Sequence, residues 1–101
     1  MTKSIFYCEY KLKKGTQEAD FLQTAQALNT HYISQQPGYI SWEQWHQDGT
    51  WIDIIAFETM EDIAAFEKNS EAPNAYAAAF YAHINMPSCK MRRYTVAQQL
   101  H

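Results

Sequence analysis

Between Ser4 and Leu12 the side chains alternate, with Phe6, Cys8, Tyr10 and Leu12 on one face and Ile5, Tyr7, Glu9 and Lys11 on the other. A period of two predicts a strand, and Lys13-Lys14-Gly15 breaks it. Thr16 is placed to cap the helix that follows, with Glu18 and Asp20 in the first turn, where the helix dipole favours acidic side chains. Phe21, Leu22, Ala25, Leu28, Tyr32 and Ile33 then recur at helical spacing as one apolar stripe, which Pro37-Gly38 ends.

The runs Tyr39 to Gln47 and Thr50 to Glu58 are rich in β-formers and are joined by Asp48-Gly49, the signature of a two-residue type I′ hairpin. That turn sets Gln47 opposite Thr50 and fixes the remaining register. One face then carries Ile40, Trp42, Gln44 and His46 beside Phe57, Ile55, Asp53 and Trp51. The other carries Tyr39, Ser41, Glu43 and Trp45 beside Glu58, Ala56, Ile54 and Ile52, so both faces are substantially apolar.

Thr59-Met60-Glu61-Asp62 opens a second helix with a capping-box-like pattern, and Ile63, Phe66 and nearby alanines form its stripe. Ser70 to Pro73 interrupts it, with Pro73 suited to the first turn of a further helix that presents Tyr76, Ala79, Phe80 and His83 on one side. Asn85 to Ser88 reads as a turn around Pro87, Cys89 to Ala97 as a last strand, and Gln98 to His101 as a tail. The order β-α-β-β-α-β is the split βαβ plan of an α+β, ferredoxin-like domain with a four-stranded antiparallel sheet, a single domain over residues 1–101. Helices cover only one face of such a sheet, and the apolar second face predicts a homodimer.

Composition narrows the function classes. Of the 101 residues, 15% are aromatic (seven Tyr, five Phe, three Trp), more area than a small domain hides without a core, a partner or a ligand pocket to receive it. A net charge of −3 and the lack of a basic stripe argue against a nucleic-acid partner. No apolar run approaches the roughly 18 residues that span a bilayer, so no membrane partner is expected. The start Met-Thr-Lys-Ser-Ile-Phe has no apolar leader, which predicts a cytoplasmic protein with Cys8 and Cys89 as reduced thiols. Neither cysteine has metal-ligand spacing, and the three glycines stand singly at turns, so no metal, nucleotide or other cofactor is expected.

Pro37-Gly38-Tyr39-Ile40-Ser41-Trp42-Glu43, then Asp48-Gly49-x-Trp51-x-Asp53, then Phe57-Glu58-Thr59-Met60-Glu61-Asp62 together resemble the dimeric α/β-barrel superfamily, within it the antibiotic biosynthesis monooxygenase-like domains. The resemblance implies two sheets face to face in a dimer and, in each subunit, a pocket between sheet and helices. It also implies a cofactor-free oxygenase that eases deprotonation of an activated phenol and lets the carbanion meet dioxygen. Phe57 stands where several relatives carry a pocket Trp. The haem-degrading branch uses a first-strand Asn, absent here, and a His that His83 matches only loosely.

The candidate chemistry follows from the hairpin face turned to the helices. Gln44 lies across from Asp53 and His46 one diagonal step away, an arrangement that would let Asp53 and His46 take a phenolic or α-carbonyl proton. Trp42, Trp51 and Phe57 would stack on the substrate, with Gln44, Tyr76, Phe80 and His83 completing the wall. The expected function is a cofactor-independent monooxygenase acting on a small aromatic or polyketide-like molecule. The alternative is a non-catalytic dimeric module for a small hydrophobic ligand, in which Asp53 is a hydrogen-bonded structural carboxylate and His46 is exposed. A further expectation is an ion pair between Glu9 and Arg92–Arg93 across the first and last strands.

Overall fold

The computed structural model describes residues 3–101. The chain runs β1 (Ser4–Leu12), α1 (Glu18–His31), a 3-10 turn (Ile33–Gln35), β2 (Tyr39–Gln47), β3 (Thr50–Phe57), α2 (Met60–Asn69), α3 (Ala75–Tyr81) and β4 (Ile84–Thr95). The four strands form one antiparallel sheet in the order β2-β3-β1-β4, the ferredoxin-like arrangement expected from the element order. No helix among the described residues is long and apolar enough to cross a membrane.

The period-two pattern of β1 decides which face is buried. Phe6 and Tyr10 turn inward to meet Phe66 of α2 and Phe80 of α3. Phe21 of α1 sits at the centre of the aromatic core, stacked on Phe80 at 5.1 Å and edge-on to Trp51 at 5.1 Å. Offset and edge contacts of this kind add to what area burial alone contributes. On the far face of the sheet Tyr7 and Tyr94 pair edge to face, and Trp45 and Tyr94 remain about half exposed.

At the hairpin, both Asp48 and Gly49 have positive φ, as a type I′ turn requires, and Gln47 pairs with Thr50. The expected register holds from Gln47 back to Ser41 and then slips, because Tyr39 pairs with Phe57 across a bulge. A bulge inserts one residue and reverses the parity beyond it. Tyr39 therefore packs edge-on against Phe57, while Ile40, expected inside, is exposed.

Other boundaries also differ from expectation. Gln17, not Thr16, occupies the N-cap of α1 and offers no side-chain hydrogen bond. The apolar stripe of α1 continues past His31 only through the 3-10 turn, which keeps Ile33 buried. Thr59 does cap α2, accepting from the Asp62 N–H, whereas α3 is capped by Asn74 and Pro73 lies outside it. The expected turn at Asn85 to Ser88 is strand: β4 begins at Ile84, and an irregularity opposite Glu9–Lys11 absorbs Pro87, with Ser88 Oγ accepting from the Lys11 N–H. Glu9 takes a hydrogen bond from Tyr7, and Arg93 pairs with Glu67 of α2 rather than with β1, because its parity on β4 turns it toward the helices.

Gly38 links the 3-10 turn to β2 at a φ of +77°, and its carbonyl accepts from the Glu58 N–H. A Cβ there would fall 2.0 Å from Asp62 Oδ2 and 2.9 Å from its Cβ. Gly38→Ala combines backbone strain with this overlap and should lower unfolding free energy by about 1–3 kcal/mol in urea titration.

Candidate active site

A cavity of about 260 Å³ lies between the sheet and the helices. Its base is formed by Cys8 and Tyr10 of β1, Asp53 and Ile55 of β3 and Trp42 of β2. Leu28, Phe66 and Phe80 roof it, and Tyr81 with Met86, Cys89 and Met91 of β4 closes one side. The space exists because the inward positions of β1 and β4 opposite the α3 end carry Cys8 and Cys89, side chains too small to reach the roof.

Among the described lining residues Asp53 is the only charged one, and it is 4% exposed. Its Oδ1 accepts from Tyr10 Oη at 2.9 Å and from Gln44 Nε2 at 3.2 Å. Both donors therefore converge on one oxygen, leaving Oδ2 without a closed hydrogen bond among the described residues. Burial pushes the carboxyl up to about 6, against the opposing pull of Tyr10, Gln44 and, from longer range, the Trp42 indole. Trp42 Nε1 is itself buried without a closed hydrogen bond. Burial likewise raises the Tyr10 hydroxyl, with the Asp53 charge adding to it, so Tyr10 is a donor throughout the physiological range. The Cys8 thiol is pushed up to about 12, first by burial and then by Asp53.

The residues expected at the site divide into two groups. Asp53, Trp42 and Phe80 border the cavity, and Gln44 stands beside it as a donor to Asp53. His46 does not join them: its ring stacks on Trp51 at 4.5 Å, outside the cavity, with Nε2 4.0 Å from Glu18 and the side chain 55% exposed. The anticipated Asp53–His46 pair is thus replaced by Asp53–Tyr10: His46 lies on the edge strand β2, where its ring turns onto Trp51 beside the start of α1. Trp51 and Phe57 are consumed by the core, packing on Phe21 and on Phe66 respectively. Tyr76 stacks on His31 at the surface, and His83 meets the edge of Phe21, so neither borders the cavity. No histidine is among the described lining residues. Tyr10, Tyr81 and the two methionines were not singled out beforehand. Tyr10 was findable only through the β1–β3 register, in which Cys8 pairs with Asp53.

No family model matches the sequence, and no curated protein matches it. Solved structures do match over nearly the whole chain. SnoaB from Streptomyces nogalater, a cofactor-independent oxygenase, superposes with a TM-score of 0.74 at 14% identity, covering 97% of this chain and 96% of its own. A "putative antibiotic biosynthesis monooxygenase" from Bordetella bronchiseptica gives 0.76 at 10% identity and 100% coverage of both chains. A dimeric ferredoxin-like protein from an uncultured marine organism gives 0.65 at 11% identity, covering 100% of this chain and 93% of its own. At these identities the likeness shows the fold: that of the antibiotic biosynthesis monooxygenase-like, ferredoxin-type proteins.

A carboxyl that titrates near 6 when folded and near 3.8 when unfolded binds more protons in the native state between those values. Its contribution is most favourable below pH 4 and is lost as pH rises through about 6, a cost of up to about 3 kcal/mol at neutrality. Asp53→Asn keeps both hydrogen bonds without the charge. Thermal unfolding should show the variant more stable than the parent at pH 7–8, with the difference vanishing near pH 4.

Proposed function

We propose that this chain is a cofactor-independent monooxygenase-like enzyme, working as a homodimer, in which Asp53 takes a proton from a small aromatic or polyketide-like substrate. The observation that carries this reading is a lone buried carboxylate, one oxygen anchored by Tyr10 and Gln44, at the base of an otherwise apolar cavity. The likeness to a cofactor-independent oxygenase adds support.

In this reading the substrate lies against the edges of Phe66, Phe80 and Trp42 with its acidic C–H or O–H directed at Asp53 Oδ2. A carboxylate near 6 is ionised at neutral pH yet more basic than a solvated one, which suits it to this step. For an activated CH₂, proton transfer to Asp53 leaves a carbanion delocalised onto the neighbouring carbonyl or ring. Dioxygen adds to that carbon, Asp53 returns its proton to the peroxide, and loss of water leaves a carbonyl. One dioxygen is consumed per CH₂ oxidised, with one oxygen atom kept and one released as water. Tyr10 and Gln44 hold the carboxylate in place throughout and fix which of its oxygens faces the substrate.

The homodimer reading rests on the uncovered sheet face, where Tyr7, Ile54, Trp45 and Tyr94 lie without helices above them, and on the dimeric relative. Sedimentation equilibrium at micromolar concentration should give twice the chain mass, and Trp45→Glu should shift the protein toward monomer.

The catalytic reading is tested with 2-tetralone, a two-ring ketone with activated CH₂ groups, by NMR exchange of its C1 protons in D₂O and by oxygen uptake. The parent should accelerate both, with kcat/KM rising as pH passes through about 6 and levelling above it. Asp53→Asn should lose on the order of 100-fold or more, whereas His46→Ala should stay within about twofold because its ring lies outside the cavity. Exchange no faster than with buffer alone overturns the reading.

A further inference from the structure

We infer that the cavity selects neutral, hydroxyl-bearing molecules of one or two rings and rejects their carboxylate counterparts. This rests on Asp53 facing a ligand in the cavity, and it goes further by naming what that ligand carries and what it lacks.

The charge inventory of the wall comes first. None of the described lining residues is Lys, Arg or His, and the one charged group is the Asp53 carboxylate. Arg93, the inward-facing arginine of β4, is turned to Glu67 through Nε and Nη2, is half exposed and does not border the cavity. An anionic ligand would therefore lose its hydration with no counter-ion and sit beside a like charge. A hydroxyl meets the opposite situation. Its O–H finds Asp53 Oδ2, the oxygen that neither Tyr10 nor Gln44 occupies, and makes a charge-assisted hydrogen bond.

Size gives the second limit. At about 260 Å³ the cavity falls below the roughly 300–1,000 Å³ of sites that enclose drug-sized ligands. Phe6, Phe66 and Phe80 fix its width through ring contacts with one another and with Phe21 and Phe57, which cannot open without breaking the core. The adjustable side is Tyr81, Met86 and Met91, all about half exposed. Methionines adapt in shape but offer an anion no partner. A third or fourth fused ring would have to displace Tyr81.

Equilibrium binding of four probes to the full chain near pH 7.5, where 2-naphthol is neutral and 2-naphthoate ionised, reads both limits without needing turnover. 2-Naphthol should bind at least about tenfold tighter than naphthalene, as a hydrogen bond to a charged group allows. 2-Naphthoate should bind about 100-fold or more weaker than 2-naphthol. 1-Hydroxypyrene, with four fused rings, should not bind the parent but should bind Tyr81→Ala. In Asp53→Asn the gap between naphthol and naphthoate should shrink to less than about tenfold, since the repelling charge and the charged acceptor go together. Naphthoate binding within threefold of naphthol, or no binding of naphthol at all, overturns the inference. Selective naphthol binding without Asp53-dependent proton exchange or oxygen uptake instead overturns the enzyme reading and leaves the selectivity standing. Exchange and uptake with unselective binding does the reverse.

Discussion

The carboxylate of Asp53 is the constraint around which the sheet is arranged. It sits on β3, and its two donors come from the strands on either side: Tyr10 from β1 and Gln44 from β2. A buried charge is tolerable only when its partners are in place, so three strands must adopt one register for the centre of the sheet to be stable. A slip of one residue in either pairing would turn Asp53, Tyr10 or Gln44 to the opposite face and leave the others unpartnered. The polar cluster thus works on two levels, setting strand alignment and anchoring the Asp53 carboxylate through one oxygen at the base of the cavity. A group that costs stability at neutral pH and yet sits in the middle of the core supports the catalytic reading proposed for it.

The surrounding aromatic residues supply what the cluster lacks. Phe21, Phe57 and Phe80 are essentially without exposure; they lock α1 against α3 and β3, and α2 against β3. Most of the aromatic content is accounted for by this packing and by the uncovered sheet face. Among the described aromatic residues, Trp42, Phe6, Phe66, Phe80, Tyr10 and Tyr81 line the cavity. The cavity exists because Cys8 and Cys89 are too small to reach the roof, and a large residue at either position would fill it.

Local chemistry made most of the fold legible. The Asp48-Gly49 turn fixed the hairpin, and with it the Gln44–Asp53 opposition. Thr59 announced the start of α2, and alternation along β1 separated its two faces. The misjudged details share a cause, which is that they depend on distant parts of the chain. The bulge at Tyr39–Ser41 is set by how β2 enters the sheet after Gly38, and no residue of the hairpin encodes it. Tyr10 became the partner of Asp53 through the β1–β3 register, which is separated in sequence by a helix and a hairpin. His46 had the right parity and sequence proximity, but parity says nothing of where the cavity ends, and on the edge strand β2 the His46 ring stacks on Trp51 near Glu18 instead of entering it.

The two sulfhydryls in the wall carry one more implication. Burial, with the Asp53 charge beside it, pushes the Cys8 thiol up to about 12, and Cys89 is shifted in the same direction. Thiolates, not thiols, attack electron-poor rings and conjugated carbonyls, the kind of molecule that oxidation of a ring compound yields. A cavity lined by two reactive cysteines would be open to alkylation by any such molecule that enters it. Burial and the neighbouring Asp53 charge keep Cys8 protonated, so it serves as a small inert surface in the wall.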